Sequence, residues 1–533
     1  MEGSCSKELL WTAGSIGQEL CQKVSAACSS SQTYVDFYKM YYCHLQRPWL
    51  AWLILAVFLF YIFRFIDSVI TSYVAPSLTH LSHNLGFSEA TASITLIGFA
   101  NGLGDIFGAY AAAQTQEAVP SIIGLLYGSC LFGITVIIAF TIFYAEIPPL
   151  VQRKPFLRDF TFFIASIALM VFFLRLGSIG VFKTALFFAM FAAQVILVIV
   201  KDVKARRSIR RSRIHIEELQ FFNSIEDQDV ERPRELSRVD KIVELKRIAL
   251  NPEIAHIFKN FVAKVKNSSR KMSIDRPLDS KLEKFLKTID YPFYFLRRIT
   301  LLPSRRQLIE AHLFIFWPFA GIPLLIWAVN PNPQVTWLFY IPFAMVLSTI
   351  FALSFTSNSN IIANPKYMTF INFLGAFTGI FWVKILTSML VDLTVFLVTF
   401  TGVNSTFMSM AIIGFGNNTS SLFTAISMAR KGFADLSVAG TITVQNFNLL
   451  FGLGVGLVRT IIKNRSSIDV AVYKAKDSGN FTPEFLSLCL MVILGLMMIR
   501  VVQKRYSLPR RVGYELIILL SAFLTVSIYL ILF

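Results

Sequence analysis

The chain has 533 residues, of which 55% are hydrophobic and only 15% charged, with 51 Phe and a net charge of +18. Ordinary globular domains carry about 45–50% apolar and about 25% charged residues, so composition argues against a soluble enzyme, a disordered chain and a small secreted scaffold. An all-α polytopic membrane protein remains, because the apolar runs are continuous and do not alternate at the period of a membrane barrel.

Residues 1–48 read as an exoplasmic segment holding Cys5, Cys21, Cys28 and Cys43. An even count there permits disulfides in three pairings, or four free thiols. No Cys-x-x-Cys spacing suggests a metal, and residues 1–30 lack the apolar core of a signal peptide. A bilayer-spanning helix needs about 20 apolar residues. About twelve stretches qualify, near 49–75, 91–113, 119–145, 157–176, 179–200, 310–329, 335–356, 367–401, 405–430, 435–460, 483–502 and 512–533. The eighth is too long for one upright span, so it is expected to tilt, kink or lie partly in the interface.

These spans predict a first membrane domain over 49–200, a basic loop over 201–309, two linking spans over 310–356 and a second membrane domain over 357–533. Between 201 and 306 there are 26 Lys+Arg against 15 Asp+Glu, so this stretch holds +11 of the net +18. The cluster from Lys201 to Arg213 reads as an anchor to anionic lipid on the cytoplasmic or matrix side, with nucleic acid a remote alternative. Residues 239–265 carry apolar positions at helical spacing that could form a surface helix on the membrane or on a partner, although a solvated spacer is the favoured reading of this loop. Placing this loop inside puts both termini outside. Arg153, Lys154, Lys366, Arg430 and Lys431 then fall inside as basic flanks should. The loop 461–482 is the exception, being outside yet carrying Lys463, Arg465, Lys474 and Lys476; it also holds glycosylation sequons at Asn464 and Asn480.

An internal repeat carries the chemistry. Residues 97–110 read IGFANGLGDIFGAY and residues 413–426 read IGFGNNTSSLFTAI, with six of fourteen positions identical at an offset of 316. Each copy sits in the second helix of a five-span block, and by span parity the two blocks enter the membrane from opposite sides. The fold expected is therefore two inverted five-helix repeats plus two extra helices, the duplicated segments lying near 91–145 and 405–460. In such folds the substrate site lies near the midplane between repeats.

Asp105 stands in an otherwise apolar helix, where a carboxylate costs at least a few kcal/mol and is a functional candidate by default. Asn101 lies one turn before it on the same face. Thr95 could share that site only if the helix breaks near Gly98–Gly104. In the second copy Asn417, Asn418, Thr419, Ser420 and Ser421 form a polar run, and Ser421 takes the position equivalent to Asp105. Carboxylate, amide and hydroxyl oxygens suit hard cations. The alternative for Asp105 is a hydrogen-bonded structural acid. Arg64 and Asp67, at i and i+3 of the first span, are expected to pair with each other, and Lys384 and Asp392 to act as helix glue or to snorkel.

These motifs resemble the α-repeats of the cation/calcium exchanger superfamily, in its mitochondrial-type sodium/calcium (sodium/lithium/calcium) branch. The pattern GNGAPDIFS of that branch is similar to ANGLGDIFG at 100–108; GNSIGD, LARQG, FN and GVGLG are similar to GNNTSS at 416–421, MARKG at 428–432, FN at 447–448 and GLGVGL at 452–457. Cys28, Cys43-His44 and PFLRDFTFF at 155–163 extend the likeness. The resemblance implies a secondary antiporter exchanging Ca²⁺ for Na⁺ by alternating access, not an enzyme; no P-loop, His-Glu-x-x-His or Gly-x-Ser-x-Gly motif occurs. It implies Asp105, Asn101 and Asn417 as metal ligands, with Thr95, Asn418, Ser420 and Ser421 beside them. The second acid of the family falls on Ser421, which implies altered selectivity or lost transport. A transport-deficient regulatory relative and a cation/proton exchanger are the alternatives. No resident cofactor is expected: the transported ions are Ca²⁺ and Na⁺, with Li⁺, K⁺ or H⁺ as further candidates. Membrane lipid and inorganic cations are the expected partners, in the plasma membrane or the mitochondrial inner membrane. No oligomeric state is legible.

Overall fold

The computed structural model describes residues 21–24, 28, 34–44, 48–84, 96, 98–151, 153–226, 296–297, 299–302, 311–329, 345–350, 365–469 and 482–532. The chain divides into two units, residues 1–194 with 281–533, and residues 195–280. The described elements are helices apart from two-residue strands. Helix α1 covers residues 48–84 and contains a π-helical turn at Ile70–Val74. Then come α2 (Gly98–Ala112), α3 (Ala118–Tyr144), α4 (Arg153–Arg175), β1 (Ser178–Ile179) and α5 (Val181–Glu226). After the basic stretch follow α6 (Ala311–Val329), α7 (Pro365–Thr401), α8 (residues 405–430) and α9 (Ala434–Asn464). Strand β2 (Ile468–Asp469), α10 (Pro483–Gln503) and α11 (Arg510–Leu532) complete the order.

Local chemistry sets these limits. Proline opens α1, α7 and α10, at the position where a missing N–H costs nothing. Thr482 and Asn404 cap the following helices through side-chain oxygens that accept from Phe485 N at 3.2 Å and Thr406 N at 2.8 Å. Gly432 turns α8 into α9 at φ +86, a conformation that side chains with a Cβ resist. Inside the helices, threonines such as Thr135, Thr141 and Thr394 donate to the carbonyl four residues back, so their hydroxyls are satisfied without water.

Eight helices among the described residues are long and apolar enough to cross a membrane. Of the remaining expected spans, α2 is described for 15 residues, a shorter apolar helix covers Trp317–Trp327, and residues 335–356 lie mostly outside the described residues. The stretch 405–430 is not one helix. A π-helical segment at Ser409–Gly414 and an interruption at Asn418 divide it. The long eighth stretch is a single 37-residue helix, α7. Helix α5 runs on to Glu226, so the basic cluster expected to open a loop at 201 begins as helix instead; the candidate surface helix at 239–265 lies outside the described residues.

The centre of the first unit is α3, with 89% of its apolar window buried, whereas α11 buries 22%. Helices α3 and α8 cross through small residues: a Cβ at Gly124 would meet the Thr406 carbonyl, and one at Gly128 would lie 2.8 Å from Met410. Such close backbone approach is how helices associate where lipid removes the hydrophobic drive.

Contacts define two ends of this bundle. At one end Lys463 Nζ donates to the carbonyls of Gln114 at 2.6 Å and Thr115 at 3.0 Å, and β1 pairs antiparallel with β2, Ser178 opposite Asp469. At the other end Val151 N donates to Tyr506 O at 2.9 Å, Leu508 N to Pro149 O at 3.0 Å, and Arg430 lies over the Tyr144 ring at 4.6 Å. Helix α2 thus finishes at the Lys463 end and α8 at the Tyr144 end. Lys463 of the exceptional loop thus has a use, since it caps the carbonyls that follow α2.

The N-terminal segment packs Phe37, Tyr41 and Tyr42 against Leu55, Leu393 and Phe396, and the Tyr38 hydroxyl donates to Thr399 Oγ1 at 3.1 Å. Of the three pairings open to the N-terminal cysteines, the structure contains Cys21–Cys43. Cys28 is also disulfide-bonded, and Cys130 and Cys489 are free. Asn464 is exposed at the end of α9, and Asn480 lies outside the described residues.

Candidate cation site

Asp105 sits at the middle of α2 with 3% of its surface exposed. Three neutral donors from three other helices meet its carboxylate. Ser129 Oγ of α3 donates to Oδ1 at 2.7 Å, Asn417 Nδ2 of α8 donates to Oδ1 at 3.1 Å, and Asn448 Nδ2 of α9 donates to Oδ2 at 2.7 Å. Ser129 Oγ is also 3.2 Å from the Gly414 carbonyl. Among the described residues no basic side chain pairs with Asp105. The hydrogen bonds offset part of its desolvation, but the full negative charge stays uncompensated in a low dielectric.

Two further oxygens are left over. Asn417 Oδ1 and Asn448 Oδ1 are buried and accept no hydrogen bond. A buried acceptor without a donor is costly, and around a bare carboxylate these oxygens complete a donor set fitted to a hard cation. Among the described residues no three His, Cys, Asp or Glu side chains converge, so any cation here would be held largely by neutral oxygens.

Two glycines make room for the amides. A Cβ at Gly102 would collide with Asn448 Oδ1, and one at Gly104 would lie 3.3 Å from the Asn417 amide. The helix break at Gly98–Gly104 that Thr95 would need to share this site is absent from the described part of α2. Helix α2 is regular from Gly98 onward, because its glycines serve close approach of neighbouring side chains and not unwinding. The interruption occurs in the other copy, at Asn418. The Asn418 amide nitrogen donates to the Gly414 carbonyl at 2.9 Å, and its oxygen accepts from Gln445 Nε2 at 2.8 Å, which ties the interrupted turn to α9.

The remaining expected residues are placed as follows. Asn101 is exposed, one turn before Asp105, and Ser421 is half-buried. Ser420 Oγ donates to Asp67 Oδ1. Thr95 lies outside the described residues. Ser129, Asn448 and Gln445 were not anticipated. Their signal is the repeat offset carried one helix further: α3 and α9 begin at Ala118 and Ala434, 316 positions apart, which sets Ser129 opposite Gln445.

A second polar cluster lies lower on α9. Asp159 of α4 is 5% exposed. Arg158 grips both its oxygens at 2.7 and 3.1 Å, Thr443 Oγ1 donates at 3.2 Å and Gln194 Nε2 at 3.4 Å. Asn446 Nδ2 in turn donates to Gln194 Oε1 at 2.8 Å. Here the charge is neutralised within the protein.

A multi-pass membrane bundle enclosing an unpaired carboxylate and spare amide oxygens belongs to the class of membrane proteins that handle cations. A family model described as "Sodium/calcium exchanger protein" matches residues 51–200 and 371–532, and the chain belongs to that family. It is 23% identical over 488 residues to "Putative sodium/calcium exchanger 6" of Caenorhabditis elegans, covering 88% of this chain and 80% of that one. It is 24% identical over 465 residues to "Mitochondrial sodium/calcium exchanger protein" of Mus musculus, covering 82% and 75%. It is 21% identical over 510 residues to "Cation/calcium exchanger 1" of Arabidopsis thaliana, covering 93% and 84%. The protein is an integral, multi-pass membrane protein of this exchanger family.

Proposed function

We propose that the protein is a secondary antiporter that exchanges Ca²⁺ for Na⁺ across its membrane by alternating access. One observation carries the reading: Asp105 is buried, is met among the described residues only by neutral donors, and is accompanied by two amide oxygens without donors. A cation entering this cluster would supply the missing charge and turn the Asn417 and Asn448 oxygens from a cost into ligands. Asn101 would line the approach from the same helix. The ions are substrates, and no resident cofactor or catalysed covalent step is invoked.

The reading includes twelve spans, arranged as two inverted five-helix blocks and two linking helices. The spacing of helix starts supports this: Pro48 and Pro365 are 317 positions apart and Ala118 and Ala434 are 316 apart, against 316 for the repeat itself. The opposite ends reached by α2 and α8 support it as well. Residues that meet at the Asp105 cluster come from both copies, which is where an inverted-repeat transporter binds its ion.

The test is Ca²⁺ uptake into proteoliposomes under an imposed Na⁺ gradient. Wild type is expected to show uptake that follows the gradient, and Asp105→Asn to reduce it at least about a hundredfold. Equal, gradient-independent flux in both proteins would overturn the reading.

A further inference from the structure

The first helix brings another carboxylate to the polar run of the second copy. Arg64 Nη1 donates to Asp67 Oδ2 at 3.1 Å, as their spacing led one to expect, and Ser420 Oγ of α8 donates to the other carboxylate oxygen. One turn earlier on α1, the Phe63 ring lies over Gly416, where any Cβ would collide with it. Phe63 and Asp67, one turn apart on α1, therefore meet Gly416 and Ser420, which flank the interruption of α8 at Asn418. Asn417, between those two, donates to Asp105. The run 416–420 is thus held between two carboxylates, Asp105 through Asn417 and Asp67 through Ser420. Ser420 adjoins position 421, which aligns with Asp105 in the repeat and carries no charge.

We propose that Asp67 supplies the second negative charge of the cation site from the first helix, and that Arg64 tunes that site between monovalent and divalent ions. The proposal rests on the transport reading above. Two carboxylates, Asp105 and Asp67, together balance one Ca²⁺. With Arg64 seated on Asp67 the sum falls to a single negative charge, which one Na⁺ balances. In a low dielectric a whole unit of mismatch is expensive, so the position of one guanidinium selects the ion. Arg64 is suited to move, because a third of its side chain is exposed. Ser420 on Asp67 and Asn417 on Asp105 link the two acids through one short run of α8. The contrast with Asp159 is instructive: Arg158 holds that carboxylate through both oxygens, whereas Arg64 engages Asp67 at one oxygen and Ser420 reaches the other.

The experiment uses the purified full-length protein, with binding of radiolabelled Na⁺ and Ca²⁺ in detergent and exchange in proteoliposomes. Asp67→Asn is expected to weaken Ca²⁺ binding at least about tenfold, and Arg64→Gln to raise the preference for Ca²⁺ over Na⁺ about tenfold. Combining Asp67→Asn with Ser421→Asp should recover Ca²⁺ binding, since the charge returns to α8. A chain damaged in folding would gain nothing from that added acid. An unchanged ion preference in Asp67→Asn and Arg64→Gln, with Asp105→Asn still inactive, would overturn this proposal and leave the transport reading standing. Binding lost in Asp67→Asn and not recovered by Ser421→Asp would also overturn it, leaving Asp67 a helix-docking role. Wild type that neither binds nor exchanges the two ions would overturn both.

Discussion

Asp105 and Asp159 are both buried, and both connect to α9, one through Asn448 and the other through Gln194 to Asn446. They differ in one partner. Asp159 has Arg158 beside it in the chain, so its charge is settled when the helix folds. Asp105 has only hydroxyl and amide donors, so its charge is settled by something that arrives. Both clusters are rich in hydrogen bonds, and hydrogen bonds alone would not tell scaffold from site. The net charge left after counting partners does.

That contrast can be broken in order of expected effect. Arg158→Met should cost about 3–5 kcal/mol, because it strands a buried carboxylate; thermal unfolding in detergent would measure it, and a change under about 1 kcal/mol would mean that Asp159 is not held as an ion pair. Gly102→Ala should cost about 1–3 kcal/mol by forcing the Asn448 amide off Asp105, and ion flux should fall with it. Asp105→Asn should abolish exchange while shifting stability by no more than about 1 kcal/mol. An equal loss of stability from Asp105→Asn and Arg158→Met would erase the distinction between the clusters. Lys463→Ala removes a cation from the carbonyls beyond α2 and should cost about 0.3–1 kcal/mol, with ion preference unchanged.

Much of this was legible in the residues. Continuous apolar runs gave the membrane class, the i, i+3 spacing gave the Arg64–Asp67 pair, and the repeat brought Asp105 and Asn417 into one argument. Ser129 and Asn448 escaped because a lone hydroxyl or amide in an apolar helix more often bonds its own backbone, as the threonines of α3 and α7 do. Glycines near Asp105 could serve a helix break or close packing, and only the structure shows that they are spaces for partner side chains. The polar run 417–421 looked like one ligand set. In the structure it is shared out among three helices, Asn417 to α2, Asn418 to α9 and Ser420 to α1, because successive positions on a helix face different neighbours.

Helices α1 and α7 supply the longest candidate spans, Trp49–Ser82 with 34 residues and Thr369–Thr401 with 33. At about 1.5 Å per residue each extends for about 50 Å, while the hydrocarbon core is about 30 Å thick. The surplus amounts to between three and four helical turns. In α1 the surplus is not apolar: Ala75–Asn84 carries Pro76, Thr79, His80, Ser82 and His83, so this end of the helix suits the aqueous interface rather than lipid. The 21-residue α10 has no such surplus. The helix that bears Arg64 and Asp67 is therefore one of the two whose length exceeds what the lipid core requires.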